Sequence, residues 1–391
     1  MKQHYDIAIV GGGPAGSTAA RFAAGQGAAV VLLEKDREIG VPVRCAEGIG
    51  EDTLAKYVGI DPSWIVSRIT AFGFHSPSGI EIAFQSTTAR GCILNRRLFD
   101  HALAELAAQA GAEIYTKAYV RSLRRRERRF VLGLRHIGQE REITADIVIA
   151  ADGIESRIAH LAGIKTKLPF RDIEACAQMQ LANIDIHPER CDFYVSNRWA
   201  PGGYVWVFPK GARTANVGLG INGIYAGEKP ALGYLQDFVK QHFPQATILT
   251  TTAGGVPVAR TLDPLVSDGI MVIGDAAHQV NPLTGGGISA ALAAGKMAGR
   301  VAAEAVKAGD NSSRRLISYQ KEWNKSYGKE IRRYYRLKEW VMKLTDQDYE
   351  DIAAALDRLP PEEITLTRIF MQAVKKRPSL IPTVVKIFAG L

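Results

Sequence analysis

The chain has 391 residues, of which 47% are hydrophobic and 23% charged, and a formal net charge of +9. That is length enough for two domains, or for one interrupted domain with a tail, and a sizeable core is no difficulty. No apolar run approaches the roughly 18 residues of a membrane span, and Cys45, Cys92, Cys176 and Cys191 are widely spaced without a CxxC, which argues against a zinc site or a disulfide framework.

Met1 to Tyr5 show no charged-then-apolar leader and run straight into a strand, so a cytoplasmic chain starting there is expected. Tyr5 to Val10 is a short apolar run, as in a buried parallel strand. A glycine turn and a small-residue helix from about Pro14 to Ala24 follow, then a strand from Ala29 to Leu33 that ends at Glu34. This βαβ order predicts a parallel sheet. Leu94 to Ala110 reads as a helix with Leu98, Leu103 and Leu106 on one face, and Glu113 to Val120 as a strand. Arg121, Arg124, Arg125, Arg126, Arg128 and Arg129 lie between two strand-like stretches without interleaved aromatics. A solvated hairpin is expected there, and no nucleic-acid partner. Ile143 to Ala151 is a further buried strand. From about Lys165 to Val256 alternating residues rich in Tyr, Trp and Val predict antiparallel strands, interrupted by a helix from about Pro230 to Phe243. Ile270 to Ile273 returns to the buried-strand pattern, a long helix runs from about Gly287 to Ala308, and the chain beyond Asn311 reads as helical and basic.

Gly11-Gly12-Gly13-Pro14-Ala15-Gly16 fits G-x-G-x-x-G. Gly11 allows the tight turn, Gly13 lets the backbone approach a pyrophosphate, and Gly16 lets helix and strand pack closely. The bare helix N–H groups and the helix dipole then hold phosphate. A strand before, a helix after and Glu34 about twenty residues on, placed to accept from ribose hydroxyls, turn a weak pattern into a strong one. FAD and NAD share this fingerprint. Ala150-Ala-Asp152-Gly153-Ile-Glu-Ser156 and Gly274-Asp275-Ala-Ala-His278, the second followed by Pro282 and Gly285-Gly286-Gly287, favour FAD. An acid at a strand end can bind a ribityl hydroxyl, and the helix start it precedes aims positive potential at the flavin.

These three motifs, in this order and separation, resemble the FAD-dependent superfamily that includes para-hydroxybenzoate hydroxylase. Within it the chain resembles the archaeal geranylgeranyl reductase family, through Pro42-Val-Arg44-Cys45-Ala46-Glu47-Gly48 and Pro201-Gly-Gly-Tyr204-Val-Trp206-Val-Phe208-Pro209-Lys210-Gly211. Ala46 stands where relatives often have Gly. The resemblance implies an α/β fold: a Rossmann-type FAD-binding domain with a mixed, largely antiparallel substrate sheet and C-terminal helices. It implies FAD contacts at Gly11, Gly13, Ala15, Gly16, Glu34, Arg44, Cys45, Ala46, Gly48, Arg96, Val120, Asp275, Gly286, Gly287 and Ile288. Arg96 at a helix start suits neutralising pyrophosphate; Val120 rests on the resemblance alone. The expected division is an FAD-binding part over 1–164, a lipid-binding sheet over 165–256, a second FAD-binding part over 257–310 and a helical region over 311–391.

The family implies saturation of C=C bonds in the geranylgeranyl chains of archaeal membrane lipids, with hydride from reduced FAD. An isolated alkene has no carbonyl to accept charge, so the site must shelter cationic character and exclude water. Tyr204, Trp206 and Phe208 share a strand face at period two and are the expected channel wall, with ordinary core aromatics as the competing reading. Cys45, the expected catalytic residue, is open to three roles: proton donor, redox thiol or shape-setting contact. Lys210 is expected to meet either the lipid phosphate or solvent, and His278 to protonate or orient a group over the flavin, to cap a helix or to bond FAD. The electron donor is external, with NADPH, ferredoxin and a deazaflavin all open. Arg332 to Lys338, Lys375-Lys376-Arg377 and the apolar Val384 to Leu391 suit peripheral docking on an anionic membrane. An aromatic hydroxylase using the same flavin, and a lipid-binding flavin electron shuttle, are the alternatives.

Overall fold

The computed structural model describes residues 1–85 and 91–359 and divides the chain into two units. Lys375, Lys376, Arg377 and Val384 to Leu391 lie outside the described residues.

The first unit comprises Met1–Val43, Arg96–Leu168 and Pro257–Arg332. The apolar runs read from the sequence become its parallel sheet. In spatial order these are Ile270–Val272, Gln139–Ala150, His4–Val10, Val30–Leu33 and Glu113–Tyr115, with Val266–Ser267 antiparallel at one edge. Ile7, Ala8 and Ile9 are fully buried, as a strand covered on both faces requires. The helices Pro14–Ala24 and Ile288–Lys307 pack through small residues. A Cβ at Gly295 would stand 2.8 Å from that of Thr18, and one at Gly299 would overlap the Ala19 carbonyl.

Two details differ from expectation, and the arginine run forms the hairpin expected of it. In the helix Arg96–Gln109 the buried face is Phe99, Leu103 and Ala107, four residues apart, while Leu98 is exposed. The stretch 113–120 is not one strand: Lys117 is left-handed at φ 51° and separates Glu113–Tyr115 from Ala118–Arg126. There the Lys117 and Ala118 N–H groups donate to the carbonyls of Asp36 and Glu34, each at 2.8 Å, turning the chain into its second strand. The arginine run forms the hairpin of Ala118–Arg126 with Arg129–His136, where Arg121, Arg124 and Arg129 pair with Glu140, Glu142 and Asp146 in solvent.

The second unit comprises Arg44–Asn95, Pro169–Val256 and the chain from Arg333 onward. Residues 44–95 therefore interrupt the expected first part, 1–164. Ala71–His75 pairs in parallel with Arg190–Tyr194, which enrols this segment in the second unit's sheet. The described part of the region 311–391 is not separate either. Ser313–Lys325 belongs to the first unit, where the Tyr319 hydroxyl donates to the Val272 carbonyl at 3.1 Å. The seven-stranded sheet runs Thr247–Pro257, Ile173–Ala182, Thr214–Asn222, Tyr204–Pro209, Arg190–Tyr194, Ala71–His75 and Glu81–Gln85. All described pairings are antiparallel except Arg190–Tyr194 with Ala71–His75. The helix Ala231–His242 covers one face, burying Leu235 and Phe238 against Val205, Val207, Val217 and Leu219. A three-stranded sheet of Gly48–Gly50, Gly91–Leu94 and Ile65–Ile69 completes the unit. Among the described residues no helix is long and apolar enough to cross a membrane.

Candidate functional site

In the first unit the glycine turn has a shape that only glycine permits. Gly11 sits at φ 109° against the Ala151 carbonyl, and a Cβ on Gly16 would overlap the Gly11 carbonyl oxygen. At Gly13 the direction a Cβ would take is open, with no heavy atom within 4 Å. The helix Pro14–Ala24 starts at this residue with no side-chain cap and no acid in its first turn. Its first N–H groups are thus left for an anion. Glu34 closes the turn: its Oε2 accepts the Gly12 N–H at 2.7 Å and its Oε1 the Asp36 N–H at 2.9 Å.

The two later acidic motifs meet at the strand ends. The Ser156 hydroxyl donates to the Ala276 carbonyl at 2.8 Å. Asp152 accepts the Ile158 N–H at 2.9 Å through Oδ2, and its buried Oδ1 has no partner among the described residues. Burial raises the carboxyls of both Asp152 and Asp275 above the usual range, and for Asp275 the Arg96 charge opposes this. Gly287 caps the helix Ile288–Lys307 without a side chain, 3.3 Å from Asp275 Oδ1 as measured from where its Cβ would be. Gly285 and Gly286 before it are exposed. An open phosphate-sized turn, an uncapped helix and an orphaned buried carboxylate oxygen fit a dinucleotide that carries a hydroxylated chain. Besides Glu34, other expected contacts are partly engaged within the protein. Arg96 forks onto Asp100 through two 2.7 Å bonds, and the Val120 carbonyl accepts from Arg157. His278 adopts a left-handed conformation, and its N–H donates to the Asp275 carbonyl at 3.0 Å.

In the second unit the two faces of the seven-stranded sheet differ. Val205 and Val207 point to the covering helix, whereas Tyr204, Trp206 and Phe208 alternate to the opposite face and are half-buried. The register puts Phe193 beside Trp206 and Phe74 beside Phe193, so one aromatic surface crosses three strands. The Phe193 ring stacks on Phe74 at 5.3 Å and meets Phe208 and Tyr204 edge-on at 5.5 and 5.7 Å. Gly218 lies under Trp206, where a Cβ would come within 2.6 Å of the indole. Part of this face is itself core, as the competing reading expects: Phe193 and Phe208 pack against the buried Ile69, Ile93 and Cys191, whereas Tyr204 and Trp206 belong neither to that cluster nor to the helix-packed one.

Arg44, Cys45, Ala46 and Gly48 also belong to the second unit. Arg44 is exposed and Cys45 half-buried. The segment is pinned at Glu47, which is buried and left-handed at φ 75°. Glu47 Oε2 accepts from Lys210 Nζ at 2.7 Å and Asn216 Nδ2 at 2.6 Å, and the Glu47 N–H donates to Cys45 Sγ at 3.2 Å. Lys210 also donates to the Leu94 carbonyl at 2.7 Å, and its side chain is 9% exposed. Its charge is therefore met by the buried Glu47 carboxylate, which requires a counter-charge, rather than by solvent. Gln178 bridges the two motifs: its Nε2 donates to the Cys45 carbonyl at 2.9 Å, and its Oε1 accepts the Trp206 indole N–H at 3.0 Å.

Glu47, Gln178 and Asn216 went unassigned in the sequence. Glu47 stood inside a motif without a role. Gln178 and Asn216 show as site residues only through cross-strand register, since Asn216 pairs with Phe208 and Gln178 with Gly218.

Residues 172–256 match the model of the geranylgeranyl reductase catalytic domain, and residues 6–203 that of the FAD-dependent oxidoreductases. The digeranylgeranylglycerophospholipid reductase of Methanocella arvoryzae is 42% identical over 98% of this chain and 99% of its own. That of Methanosarcina mazei is 44% identical over 97% and 95%. A geranylgeranyl bacteriochlorophyll reductase-like structure from Thermoplasma acidophilum superposes with a TM-score of 0.91 at 33% identity, covering 98% of this chain and 99% of that one. A flavin-dependent brominase at 18% identity and TM-score 0.70 shares the fold alone. FAD is the cofactor that the matched oxidoreductase model, the open glycine turn and the acidic strand ends have in common. The chain belongs to the digeranylgeranylglycerophospholipid reductase family of FAD-dependent oxidoreductases.

Proposed function

We propose that this enzyme saturates the C=C bonds of geranylgeranyl chains on archaeal phospholipid precursors. The observation that carries this reading is the aromatic face of the second unit's sheet, which turns Tyr204, Trp206 and Phe208 away from the helix-packed core. Such a surface matches an isoprenoid chain in being apolar and in favouring developing positive charge.

FAD, when bound, supplies hydride. Gly11, Gly13, Ala15 and Gly16 hold its pyrophosphate through backbone, and Glu34 holds its ribose, with Arg96 lending charge to the phosphates. Asp275, Gly286, Gly287 and Ile288 hold the flavin end, with Val120 at its flank. Arg44, Cys45, Ala46 and Gly48 are further proposed FAD contacts. Cys45 is the proposed catalytic residue, and the Gln178 and Glu47 bonds fix its position. The reductant of FAD is an external donor. The enzyme works at the membrane surface, where Phe170, Ile224 and Tyr334, exposed by 73%, 52% and 39%, are apolar and Arg171 and Arg336 are basic. Lys338 is no part of that surface, being buried on Asp172 at 2.9 Å.

The test presents the unsaturated phospholipid in anionic vesicles to anaerobically reduced holoenzyme, followed by lipid mass analysis. Two added hydrogens per turnover and protein pelleting with the vesicles are expected. An added oxygen would mark a hydroxylase, no product an electron shuttle, and either overturns the reading.

A further inference from the structure

Among the described residues, the strands Ile173–Ala182, Thr214–Asn222 and Tyr204–Pro209 set one acid of their own on the aromatic face, Glu174. Glu174 begins the strand Ile173–Ala182 and pairs with Asn222. One step along, Cys176 pairs with Gly220, which pairs in turn with Tyr204, so Glu174 lies diagonally beside Tyr204 on the same face. Gly203 and Gly220 make room for it: Cβ atoms there would stand 3.2 and 3.5 Å from Glu174 Oε2. Asn222 is fixed by donating to the Arg171 carbonyl at 3.0 Å and accepting the Ile224 N–H at 3.3 Å, and its Nδ2 also reaches Glu174 Oε1 at 3.3 Å. That leaves Oε2, which is sealed from solvent and has no hydrogen-bond partner among the described residues. An oxygen buried this way is costly as an anion and tolerable as a hydroxyl.

The groups around it agree. Lys338, from the helix Tyr327–Val341, is the nearby cation, but its Nζ is held by Asp172 Oδ1 at 2.9 Å. Burial holds the neighbouring Cys176 thiol and Tyr204 phenol neutral, well above their usual ranges. Burial likewise outweighs the Asn222 bond and the Lys338 charge at Glu174, whose carboxyl is pushed up to about 8. It is therefore an acid at neutral pH, loaded with a proton that no described neighbour accepts.

We propose that Glu174 is the proton donor of the alkene reduction, an assignment that rests on the reading of the chain as an isoprenoid reductase. The π pair of the C=C bond takes the proton from Oε2 and becomes one new C–H bond. The hydride that FAD supplies brings its own electron pair to the other carbon and becomes the second. The product is saturated, the cofactor is oxidised by two electrons, and Glu174 is left as a carboxylate that regains its proton from solvent as the product leaves the face. The faces of Tyr204 and Trp206 shelter the cationic carbon between the two events.

The experiment compares wild type, Glu174→Gln and Glu174→Asp as FAD-loaded proteins reduced anaerobically and mixed with the unsaturated lipid. Gln should retain FAD and lose roughly 10²- to 10⁴-fold in hydrogenation rate, the usual range for a lost general acid, with Asp restoring part of it. Wild-type rate should fall tenfold per pH unit above about pH 8, and that limb should vanish in Gln. Independently of turnover, infrared titration of the oxidised holoenzyme should show a protonated carboxyl lost near that pH in wild type and absent in Gln. A merely structural Glu174 would be replaced better by the isosteric Gln than by the shorter Asp. Gln turning over at the wild-type rate, or an unchanged pH limb in Gln, overturns the assignment while leaving the reductase reading intact. A wild type that adds no hydrogen overturns the reading beneath it.

Discussion

On the proposed reading the two units would recognise their ligands by different means. In the first, backbone does the work: Gly11, Gly13 and Gly16 are defined by atoms they lack, and the helix start offers bare N–H groups. In the second, side chains do it, spread over strands far apart in sequence and gathered by register. Recognition by backbone tolerates almost no change at its glycines. Recognition by an aromatic face should degrade by degrees, because each ring is one of several.

The largest effect that would break this contrast is at Gly16. A Cβ there overlaps the Gly11 carbonyl oxygen, and neither backbone can give way without moving the strand. Overpacking of this kind costs about 1–3 kcal/mol, concentrated on the cofactor turn. Gly16→Ala should therefore purify without flavin absorbance. Full FAD occupancy would show that the turn is not the phosphate site.

A second effect sharpens the contrast inside the sheet unit. Lys210 and Glu47 are both buried, with side chains 9% and 6% exposed. Lys210→Met strands the carboxylate and should cost about 3–5 kcal/mol, whereas Lys210→Met with Glu47→Gln should recover much of the loss. Thermal unfolding measures both. A single variant as stable as wild type would mean that the pair does not hold the Cys45 segment.

The same contrast explains what the sequence made legible. The parallel strands of the first unit showed as apolar runs, and its glycine turn as fixed spacing, because both depend on neighbours in the chain. Residues 44–95 read as part of that unit because nothing local to Ala71–His75 announces its pairing with Arg190–Tyr194, more than a hundred residues later. Period two put Tyr204, Trp206 and Phe208 on one face, but period alone did not say which face the helix Ala231–His242 would cover. Lys210 was misjudged for a related reason. Its partner Glu47 is far away in sequence and buried through a left-handed turn that no propensity predicts. Glu174, Gln178 and Asn216 look like ordinary polar residues of an alternating strand until cross-strand register sets them among aromatics.

The central claim is that the aromatic face serves the lipid chain and not the cofactor. Trp206→Ala tests it most directly, with FAD content and single-turnover hydrogenation measured on the same preparation. Trp206 is half-buried on the aromatic face and tied to the Cys45 segment through Gln178. The account predicts full FAD occupancy with hydrogenation reduced roughly ten- to hundredfold, the range of a lost stacking and cation–π wall of about 1–3 kcal/mol. Loss of FAD, or hydrogenation at the wild-type rate, would contradict it.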